Sequence, residues 1–340
     1  MKKTIGIIGF GNFGTLVAAI LSKQAEVLVW NRSVNDEVEK RAEKLGVNLV
    51  DLKTAAACDI VILTVAISVT EEIIKTIALL VKPGALVMDT CSVKVHPVKW
   101  LKKYLPKNVE ILGTHPMFGP VTTKFDIDKK YFELAGKQIV LCPVRISKSR
   151  LNKIDKFLRS LKLEVIETTP VDHDRQNAKT LSFVHFIGRA LTRAEIVEQK
   201  IYTPGYADLL KIIPHTNSDK WQLFCDMHQY NDYSQKVRDK FTLACDSLEN
   251  DLTRAIIKDD LEYNRKMIDS VDARIMQLLE QRMTYVKNIG KIKKEKGMKI
   301  LDKKREEEIL KSKFKQTKLE KSFIKSLFSL IFKESRKMQE

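Results

Sequence analysis

Three glycines near the start of the chain, Gly9, Gly11 and Gly14, have the spacing G-x-G-x-x-G. They directly follow a predicted strand and open a predicted helix, which is the context in which this spacing binds a dinucleotide. The first glycine permits a tight turn, the second lets a pyrophosphate approach the backbone, and the third lets the helix pack on the strand. The first N–H groups of the helix, around Asn12 and Phe13, would face the phosphates. The alternative is a purely structural glycine turn.

The end of the second predicted strand bears on the choice of nucleotide. An NAD site usually has an acidic residue at this position, which binds the ribose 2′-hydroxyl. Here the strand is followed by Asn31, Arg32 and Ser33, without an acid. Because Arg and Ser suit a 2′-phosphate, we predict NADP as the favoured cofactor, with NAD as the other candidate. If Arg32 is only a solvated surface residue, the site would accept both.

His115 and Ser92 are candidate catalytic residues. Each lies in a segment that follows a predicted parallel strand, and ligands of such sheets bind outside the carboxyl ends of the strands. His115 could accept the proton of a substrate hydroxyl while a hydride leaves the same carbon. The Ser92 hydroxyl could orient that histidine. The alternative is a histidine that only closes a turn.

Further charged candidates lie in a long predicted helix, residues 259–296, which contains no proline. Arg282 takes one position in a helical stripe of apolar residues at spacings of three and four, formed by Ile268, Val271, Ile275, Leu278, Tyr285, Ile289 and Ile292. A buried guanidinium is costly unless it meets an anion from the protein or a ligand. Lys293 lies about 16 Å further along nearly the same face, so the two cations would bracket a small dianion. A buried Arg–Glu pair beside a solvated lysine is the alternative.

The elements that must position these residues change along the chain. Up to residue 167, short β-branched runs alternate with helical segments, which predicts a Rossmann-type α/β domain with a parallel sheet over residues 1–168. The pattern is helical from there on. We predict two all-α domains, one over residues 169–257 and a second, of three helices, over residues 258–340.

The composition narrows the class of protein. No apolar run approaches the ~20 residues of a membrane span and no signal peptide is apparent, so we expect a cytoplasmic protein without a membrane partner. The five cysteines lack metal-binding spacing, which predicts reduced thiols and no metal site. The net charge is +17, and residues 261–340 contain 22 Lys and Arg against 12 Asp and Glu. Such a tail raises nucleic acid as a partner. Arg282 in an apolar stripe argues against it, because cations that follow phosphates lie on solvent-facing positions.

Four segments of the first 250 residues together resemble the prephenate/arogenate dehydrogenases. They are the glycine turn, D-T-C-S-V-K at 89–94, G-T-H-P-M-F-G-P at 113–120, and His173-Asp174 followed by His185-Phe186. The resemblance implies NAD(P)-dependent oxidative decarboxylation of prephenate to 4-hydroxyphenylpyruvate. It also implies that His115 interacts with the ring hydroxyl, that Ser92 supports it, and that the helical segment completes the pocket and dimerises.

The chain departs from this family at one position. Family members commonly place an arginine in the helical segment to bind a substrate carboxylate, and the matching position here is His215. His215, Lys211 or Lys220 could substitute, or the ligand could be held differently. Neither His nor Lys offers the bidentate fork of an arginine.

The last 80 residues are similar to the all-helical chorismate mutases. The resemblance rests on the spacing of Arg265, Asp272, Arg282, the 290–293 stretch, Asp302, Arg305-Glu306, Ser335 and Gln339. It implies that Arg265, Arg282 and Lys293 contact the two carboxylates and the ether oxygen, and that Glu306 and Gln339 hold the hydroxyl and ether side. Asp302, Arg305 and Ser335 would complete the pocket. Asp302 and Arg305 also have an ordinary interpretation, as a helix N-cap and a solvated charge.

The two resemblances together predict a bifunctional enzyme of tyrosine synthesis, with chorismate and prephenate as its small-molecule substrates. The alternatives are an arogenate-preferring dehydrogenase with a regulatory or degenerate mutase-like domain, and a nucleotide-sensing or nucleic-acid-binding protein with a basic tail. Arg265 and Arg282 are 17 residues apart, about 25 Å along one helix, so one small substrate cannot touch both. We therefore expect an intertwined homodimer whose mutase sites take one arginine from each chain.

Overall fold

The computed structural model describes residues 3–256 and 260–339. The chain divides into two compact units, Met1–Asp246 (the first unit) and Ser247–Glu340 (the second unit). The predicted domain boundary between residues 257 and 258, and the predicted start of the long helix at residue 259, lie outside the described residues. So do the first two residues of the predicted α/β domain.

The first unit contains an eight-stranded sheet in the order β3-β2-β1-β4-β5-β6-β7-β8. Its strands are β1 (Thr4–Ile8), β2 (Glu26–Trp30), β3 (Asn48–Leu49), β4 (Ile60–Leu63), β5 (Leu86–Asp89), β6 (Glu110–Pro116), β7 (Gln138–Arg145) and β8 (Glu164–Glu167). The order of the first six is that of the Rossmann fold, with the change of direction between β1 and β4. The predicted fold class is confirmed.

Two details of the sheet differ from the sequence prediction. β7 pairs antiparallel with β6, whereas the other neighbouring strands are parallel. In addition, β6 continues to Pro116, so His115 lies in a strand and pairs with Val140, instead of following the strand in a loop. The physical reason is that β7 supplies hydrogen-bond partners beyond Gly113, which the local sequence does not reveal.

The apolar strands and the helices that cover both faces form the core of the first unit. Its helices are α1 (Asn12–Leu21), α2 (Asp36–Leu45), α3 (Leu52–Ala56), α4 (Ile67–Ile77), α5 (Val95–Tyr104), α6 (Lys148–Ser160), α7 (Pro170–Asn177), α8 (Phe183–Arg193), α9 (Pro204–Leu210), α10 (Ile212–Asn217) and α11 (Trp221–Gln229). A twelfth helix, α12 (Ser234–Ile256), ends in the second unit. Strands such as β1 and β4 are almost wholly buried because both of their faces are covered.

The helix that follows the sheet brings its first turn to the sheet's edge. α7 begins at Pro170, with the Thr169 hydroxyl accepting the backbone N–H of Asp172 as an N-cap. A π-helical turn, Ala178–Ser182, joins α7 to α8. This local arrangement fixes His173 and Asp174 on a buried face of α7.

The described part of the second unit is built from three further helices. They are α13 (Leu261–Glu295), α14 (Lys303–Gln316) and α15 (Lys321–Lys337). Asp260 caps α13 by accepting two backbone N–H groups, and Gly297 follows its end with φ +62°, a left-handed conformation that glycine favours. Within the described residues, no helix is long and apolar enough to cross a membrane.

One long face of α13 is exposed to solvent. The apolar stripe predicted from the sequence lies on it: Ile268, Val271, Ile275, Leu278, Tyr285, Ile289 and Ile292 are all exposed. The opposite face, around Val286 and Gly290, is buried. Arg282 lies at the border of the two faces and is half-buried. The described residues of one chain therefore leave the stripe uncovered.

Candidate active sites

The glycine turn has the geometry that a dinucleotide requires. Gly9 has φ +106°, and a Cβ on Gly14 would lie 2.0 Å from the carbonyl oxygen of Gly9. A Cβ on Gly11 would meet nothing within 4 Å, so the space above the turn is open. Gly11 caps α1 without a side-chain hydrogen bond, which leaves the first N–H groups, at Asn12 and Phe13, available for a ligand. The turn therefore fits a pyrophosphate.

At the end of β2, the three predicted cofactor residues have different surroundings. Asn31 accepts the backbone N–H of Phe10 at 3.0 Å and donates to the carbonyl of Ser33 at 2.7 Å. Asn31 therefore ties the glycine turn to the loop after β2. Arg32 and Ser33 are exposed.

His115 lies at the carboxyl end of β6 in a buried cluster of polar groups. Its side chain is 5% exposed, and burial, together with the neighbouring His173 and Lys94, holds its pKa well below 6.5. Nδ1 of His115 lies 2.8 Å from Nε2 of His173, whose Nδ1 lies 2.7 Å from Oδ1 of Asp174. His115 is thus neutral at physiological pH and can accept a proton.

A buried ion pair supports this edge of the sheet. Lys94 is fully buried, and its Nζ contacts the Asp89 carboxylate and donates to the carbonyl of Thr114 at 2.6 Å. A buried lysine requires such partners. The pair connects the end of β5 to the strand residue directly before His115.

Ser92 does not orient His115 as predicted. Its Oγ is buried and has no hydrogen-bond partner among the described residues, while its backbone carbonyl accepts the side-chain amide of Asn177. His173 takes the contact to His115 instead. The physical reason is that packing of α7 against the sheet, between residues 58 positions apart, decides which side chain faces His115. The adjacent Cys91 is not a nucleophile, since burial raises its thiol pKa to about 12.

The residues predicted to bind a carboxylate in the helical segment are exposed, whereas His115 is buried. His215 is exposed on α10, and Lys211, also exposed, pairs with Asp208 at 2.7 Å. The segment does contain an arginine that sequence reasoning missed. Arg189 stacks on the rings of Trp221 and Phe224, and its Nε is buried without a partner among the described residues.

Three of the residues expected in the mutase pocket, Arg282, Ser335 and Gln339, are linked by hydrogen bonds in the second unit. Arg282 donates from Nη1 to the hydroxyl of Ser335, and no carboxylate of the described chain lies within 4.0 Å of its guanidinium. Gln339 donates to the carbonyl of Ser335 at 3.2 Å, and its Oε1 is buried without a partner among the described residues. Lys293 donates to the carbonyl of Ile300 at 2.6 Å.

Gly290 explains how α13 and the end of α15 come so close. A Cβ on Gly290 would lie 3.0 Å from Cα of Gln339. Glu306 of α14 pairs with Arg336 of α15, a partner that the sequence analysis did not single out. Position 336 directly follows Ser335, and a basic residue beside a proposed pocket serine is the signal that could have indicated it.

Three predicted mutase residues lie apart from this cluster or have ordinary roles. Asp302 caps α14 by accepting the backbone N–H of Arg305 at 3.0 Å, and Arg305 pairs with Glu308 on the surface. Arg265 is exposed, 17 residues from Arg282 on the same helix.

The strand order, the open glycine turn and a neutral histidine at the carboxyl end of the sheet define the first unit as a dehydrogenase of the nucleotide-binding Rossmann class. Family models agree. The model "Prephenate dehydrogenase, nucleotide-binding domain" matches residues 17–167, and "TYRAAT1-like, C-terminal domain" matches residues 190–263. The model "Chorismate mutase type II" matches residues 264–340.

Similar proteins give the same class. Arogenate dehydrogenase 2, chloroplastic, of Arabidopsis thaliana is 30% identical over 73% of this chain and 69% of its own length. Arogenate dehydrogenase 1 of that plant is 32% identical over 73% of this chain but only 39% of its own length. Among solved structures, prephenate dehydrogenase from A. aeolicus has a TM-score of 0.60 at 20% identity, covering 82% of this chain and 99% of that one. That identity supports the fold alone.

The chain belongs to the prephenate/arogenate dehydrogenase family and carries a chorismate mutase domain of type II after the dehydrogenase. This combination is that of a bifunctional enzyme of tyrosine biosynthesis.

Proposed function

We propose that the second unit rearranges chorismate to prephenate and that the first unit oxidises prephenate to 4-hydroxyphenylpyruvate, with NADP favoured over NAD. The observation that carries the dehydrogenase assignment is His115, buried and neutral at the carboxyl end of β6. His115 takes the proton of the ring hydroxyl while the same carbon loses a hydride. A bound nicotinamide cofactor would accept that hydride. The bond to the ring carboxylate then breaks, carbon dioxide leaves, its electron pair completes the aromatic ring, and the resulting phenolate oxygen takes the proton back from His115.

Ser92 is the second residue proposed for the dehydrogenase step. Its hydroxyl is buried without a partner among the described residues, and its backbone is held by Asn177. A buried hydroxyl without a partner is costly, so a substrate oxygen is its expected partner. His215 and Lys211 are weaker candidates for the side-chain carboxylate, since both are exposed.

The mutase reaction needs no nucleophile. It needs a pocket that holds the reactive conformer and stabilises negative charge at the ether oxygen. Arg282 and Lys293 supply cations with no carboxylate partner in the described chain. Glu306, Ser335 and the Gln339 amide supply the polar contacts. Asp302 and Arg305 are weaker candidates, because each has a local partner at the start of α14.

The preference for NADP is proposed from the loop after β2. Asn31 is engaged by the glycine turn, which leaves the exposed Arg32 and Ser33 for a 2′-phosphate. Two relatives support the choice by name, Prephenate dehydrogenase [NADP(+)] of Saccharomyces cerevisiae at 26% identity and its probable counterpart in Schizosaccharomyces pombe at 27%.

Prephenate is proposed as the dehydrogenase substrate because it is the product of the mutase domain on the same chain. The Arabidopsis relatives are named for arogenate, so arogenate is the competing candidate.

The five free cysteines support a cytoplasmic location.

We also propose a homodimer in which a second copy covers the stripe on α13. Contiguous exposed apolar patches of this kind mark interaction sites. Arg265 and Arg282 are about 25 Å apart along the helix, so a site that uses both must take one of them from the second copy.

One experiment tests both activities. Chorismate is given to the purified chain with NADP or NAD, and the absorbance of the reduced nicotinamide is followed. A signal from chorismate requires both activities, whereas a signal from added prephenate or arogenate alone requires only the dehydrogenase. No signal with any of the three would contradict the dehydrogenase assignment, and unchanged chorismate would contradict the mutase assignment.

A further inference from the structure

The carboxylate of Asp174 accepts hydrogen bonds on both of its oxygens. Oδ1 accepts the backbone N–H of Lys94 at 2.7 Å, and Oδ2 accepts the backbone N–H of Val95 at 2.9 Å. Backbone N–H groups can only donate, so they hold the carboxyl in its acceptor form. Asp174 is fully buried, and these bonds fix it to the segment that leads into α5.

His173 lies between this carboxylate and His115. Its Nδ1 is 2.7 Å from Oδ1 of Asp174, and its Nε2 is 2.8 Å from Nδ1 of His115. Because the carboxylate accepts, Nδ1 of His173 carries the hydrogen, and in the neutral ring Nε2 has the lone pair. The hydrogen between the two rings then belongs to Nδ1 of His115. The remaining nitrogen of His115, Nε2, is left with its lone pair.

We propose that His173 and Asp174 are positioning residues that hold His115 in this tautomer, the one whose Nε2 can accept the substrate's hydroxyl proton. The inference rests on the proposed role of His115 as the base. In the opposite tautomer, Nε2 of His115 would already carry a hydrogen and could take no proton.

The same chain of hydrogen bonds stabilises the positive charge that the substrate's proton brings to the histidine pair. When the hydroxyl proton binds Nε2 of His115, the hydrogen on Nδ1 can cross to Nε2 of His173. One proton enters His115 and one leaves it, so the positive charge lies on His173, 2.7 Å from Asp174. The other charged groups buried here, Lys94 and Asp89, are paired with each other. Asp174 is therefore the anion that faces the histidine pair.

Two substitutions of His173 separate the two bonds that it makes. In His173→Gln, the side-chain oxygen can stand where Nε2 stood and still accept from His115. In His173→Asn, the shorter side chain can still reach Asp174 but not His115. We expect the Gln variant to keep kcat within about tenfold of the wild type and the Asn variant to lose about 10²-fold or more. The KM for prephenate and the Kd for NADP should change little in both. Equal losses in the two variants would contradict the positioning role.

A substitution of Asp174 tests the other end of the chain of bonds. Asp174→Asn places a neutral amide where the carboxylate was, so the anion that faces His173 is removed while the amide oxygen can still accept at the Oδ1 position. Because the positive charge on His173 then has no anion beside it, we expect kcat to fall by about 10²-fold, the loss typical of a removed charge-stabilising group. Asp226→Asn is the matched control: Asp226 is also buried and accepts the backbone N–H of Ser68. Similar losses in both variants would indicate a purely structural effect.

The tautomer can also be measured without substrate. In protein labelled with nitrogen-15 in histidine, at pH 8, two-bond nitrogen–hydrogen couplings distinguish Nδ1–H from Nε2–H rings, and His115→Asn assigns the signal. We expect the Nδ1–H form of His115 in the wild type and a loss of this preference in His173→Asn, whose side chain cannot reach His115. An Nε2–H form in the wild type would overturn the inference even if the enzyme is active. Failure to oxidise prephenate or arogenate with the Nδ1–H form present would contradict the proposed function instead.

Discussion

The two units of this chain build their sites in different ways. In the first unit, His115 is 5% exposed and every group that positions it comes from the same unit. In the second unit, the stripe on α13 is bare, with Ile275 at 48% and Leu278 at 63% exposure, and Arg265 lies far from the other pocket residues. A sheet covered on both faces can enclose a site by itself, whereas α14 and α15, of 14 and 17 residues, leave one side of the 35-residue α13 exposed.

This difference in burial indicates which of the two sites depends on association with a second copy. Burial of apolar area contributes roughly 25 cal/mol per Å², and the first unit obtains that contribution within one chain. Among the described residues, the stripe on α13 is uncovered, so the second unit would obtain this contribution for the stripe by association. The dehydrogenase site should therefore survive in a monomer, and the mutase site should depend on a second copy.

The largest expected effect tests whether the first site is independent of the second. His115→Asn removes the proposed base and should lower dehydrogenase kcat by about 10²–10⁴, while NADP binding and mutase activity stay near wild type. The control is His96→Asn, because His96 is partly exposed and pairs with Asp232. Both activities are measured on the same preparation. Wild-type turnover in His115→Asn would end the assignment.

The next effect tests whether the mutase site is shared between two copies. Arg265→Ala and Arg282→Ala should each lower mutase activity by about 10²–10³, the loss typical of a removed charge-stabilising donor. When the two variants are refolded together, half of the dimers are mixed, and each mixed dimer has one intact site. Mutase activity should return to about a quarter of wild type under that symmetry.

The dehydrogenase provides the internal control for this mixing experiment, since its activity should be unchanged in every preparation. If mixed dimers are present and mutase activity does not return, both arginines serve one site within one chain, and the contrast between the units fails.

A smaller effect concerns the cofactor. Arg32→Asp places a carboxylate where a 2′-phosphate is proposed to bind, and loss of a charged hydrogen bond costs about 1.5–3 kcal/mol. The ratio of kcat/KM for NADP over NAD should fall by about 10–100-fold. The Lys53→Asp variant, on the exposed surface of α3, controls for the change in charge. A wild type that already prefers NAD would contradict the proposal before any variant is made.

The smallest expected effect is a difference between the two units in how their stability depends on pH. All six histidines lie in the first unit. Burial lowers the pKa of His115, of His185 and, to about 4, of His228. Each of these pKa values in the folded state is below the value near 6.5 of an unfolded histidine. At a pH between the two, the unfolded state therefore binds more protons than the folded state. The free energy of unfolding of the first unit should therefore fall as pH drops from 6.5 towards 5.

The charged neighbours of these histidines do not reverse this fall in the free energy of unfolding at low pH. Asp219 faces His185 and favours its charged form, but burial and Arg189 outweigh it; His228 faces Arg238. The three tryptophans also lie in the first unit, so their fluorescence during thermal unfolding reports on it alone. Dehydrogenase activity should be lost on heating earlier at pH 5.5 than at 7.5, and mutase activity should shift less. Equal shifts would contradict this prediction.

Local periodicity in the sequence was sufficient to predict the helices and strands whose formation does not depend on a distant segment. The strand–turn–helix around Gly9, and the long helix predicted over residues 259–296 and found as Leu261–Glu295, follow from spacing that a few neighbouring residues determine. The exposed stripe on α13 could be inferred in the same way, because its residues recur along one helix. The cluster of Arg282, Ser335 and Gln339 could be predicted only by resemblance to a known family.

Tertiary structure alone decided which side chains meet. His173 and His115 are 58 positions apart, and their contact depends on where α7 packs against β6. The antiparallel β7 extends β6 through His115, and Asn31 binds the glycine turn instead of remaining free for a ribose. The sequence by itself determined that a dehydrogenase segment precedes a mutase segment, and it determined the residue types available for chemistry. The pairing of those residues was decided by packing, because hydrogen bonds between distant segments depend on the whole fold and leave no local pattern.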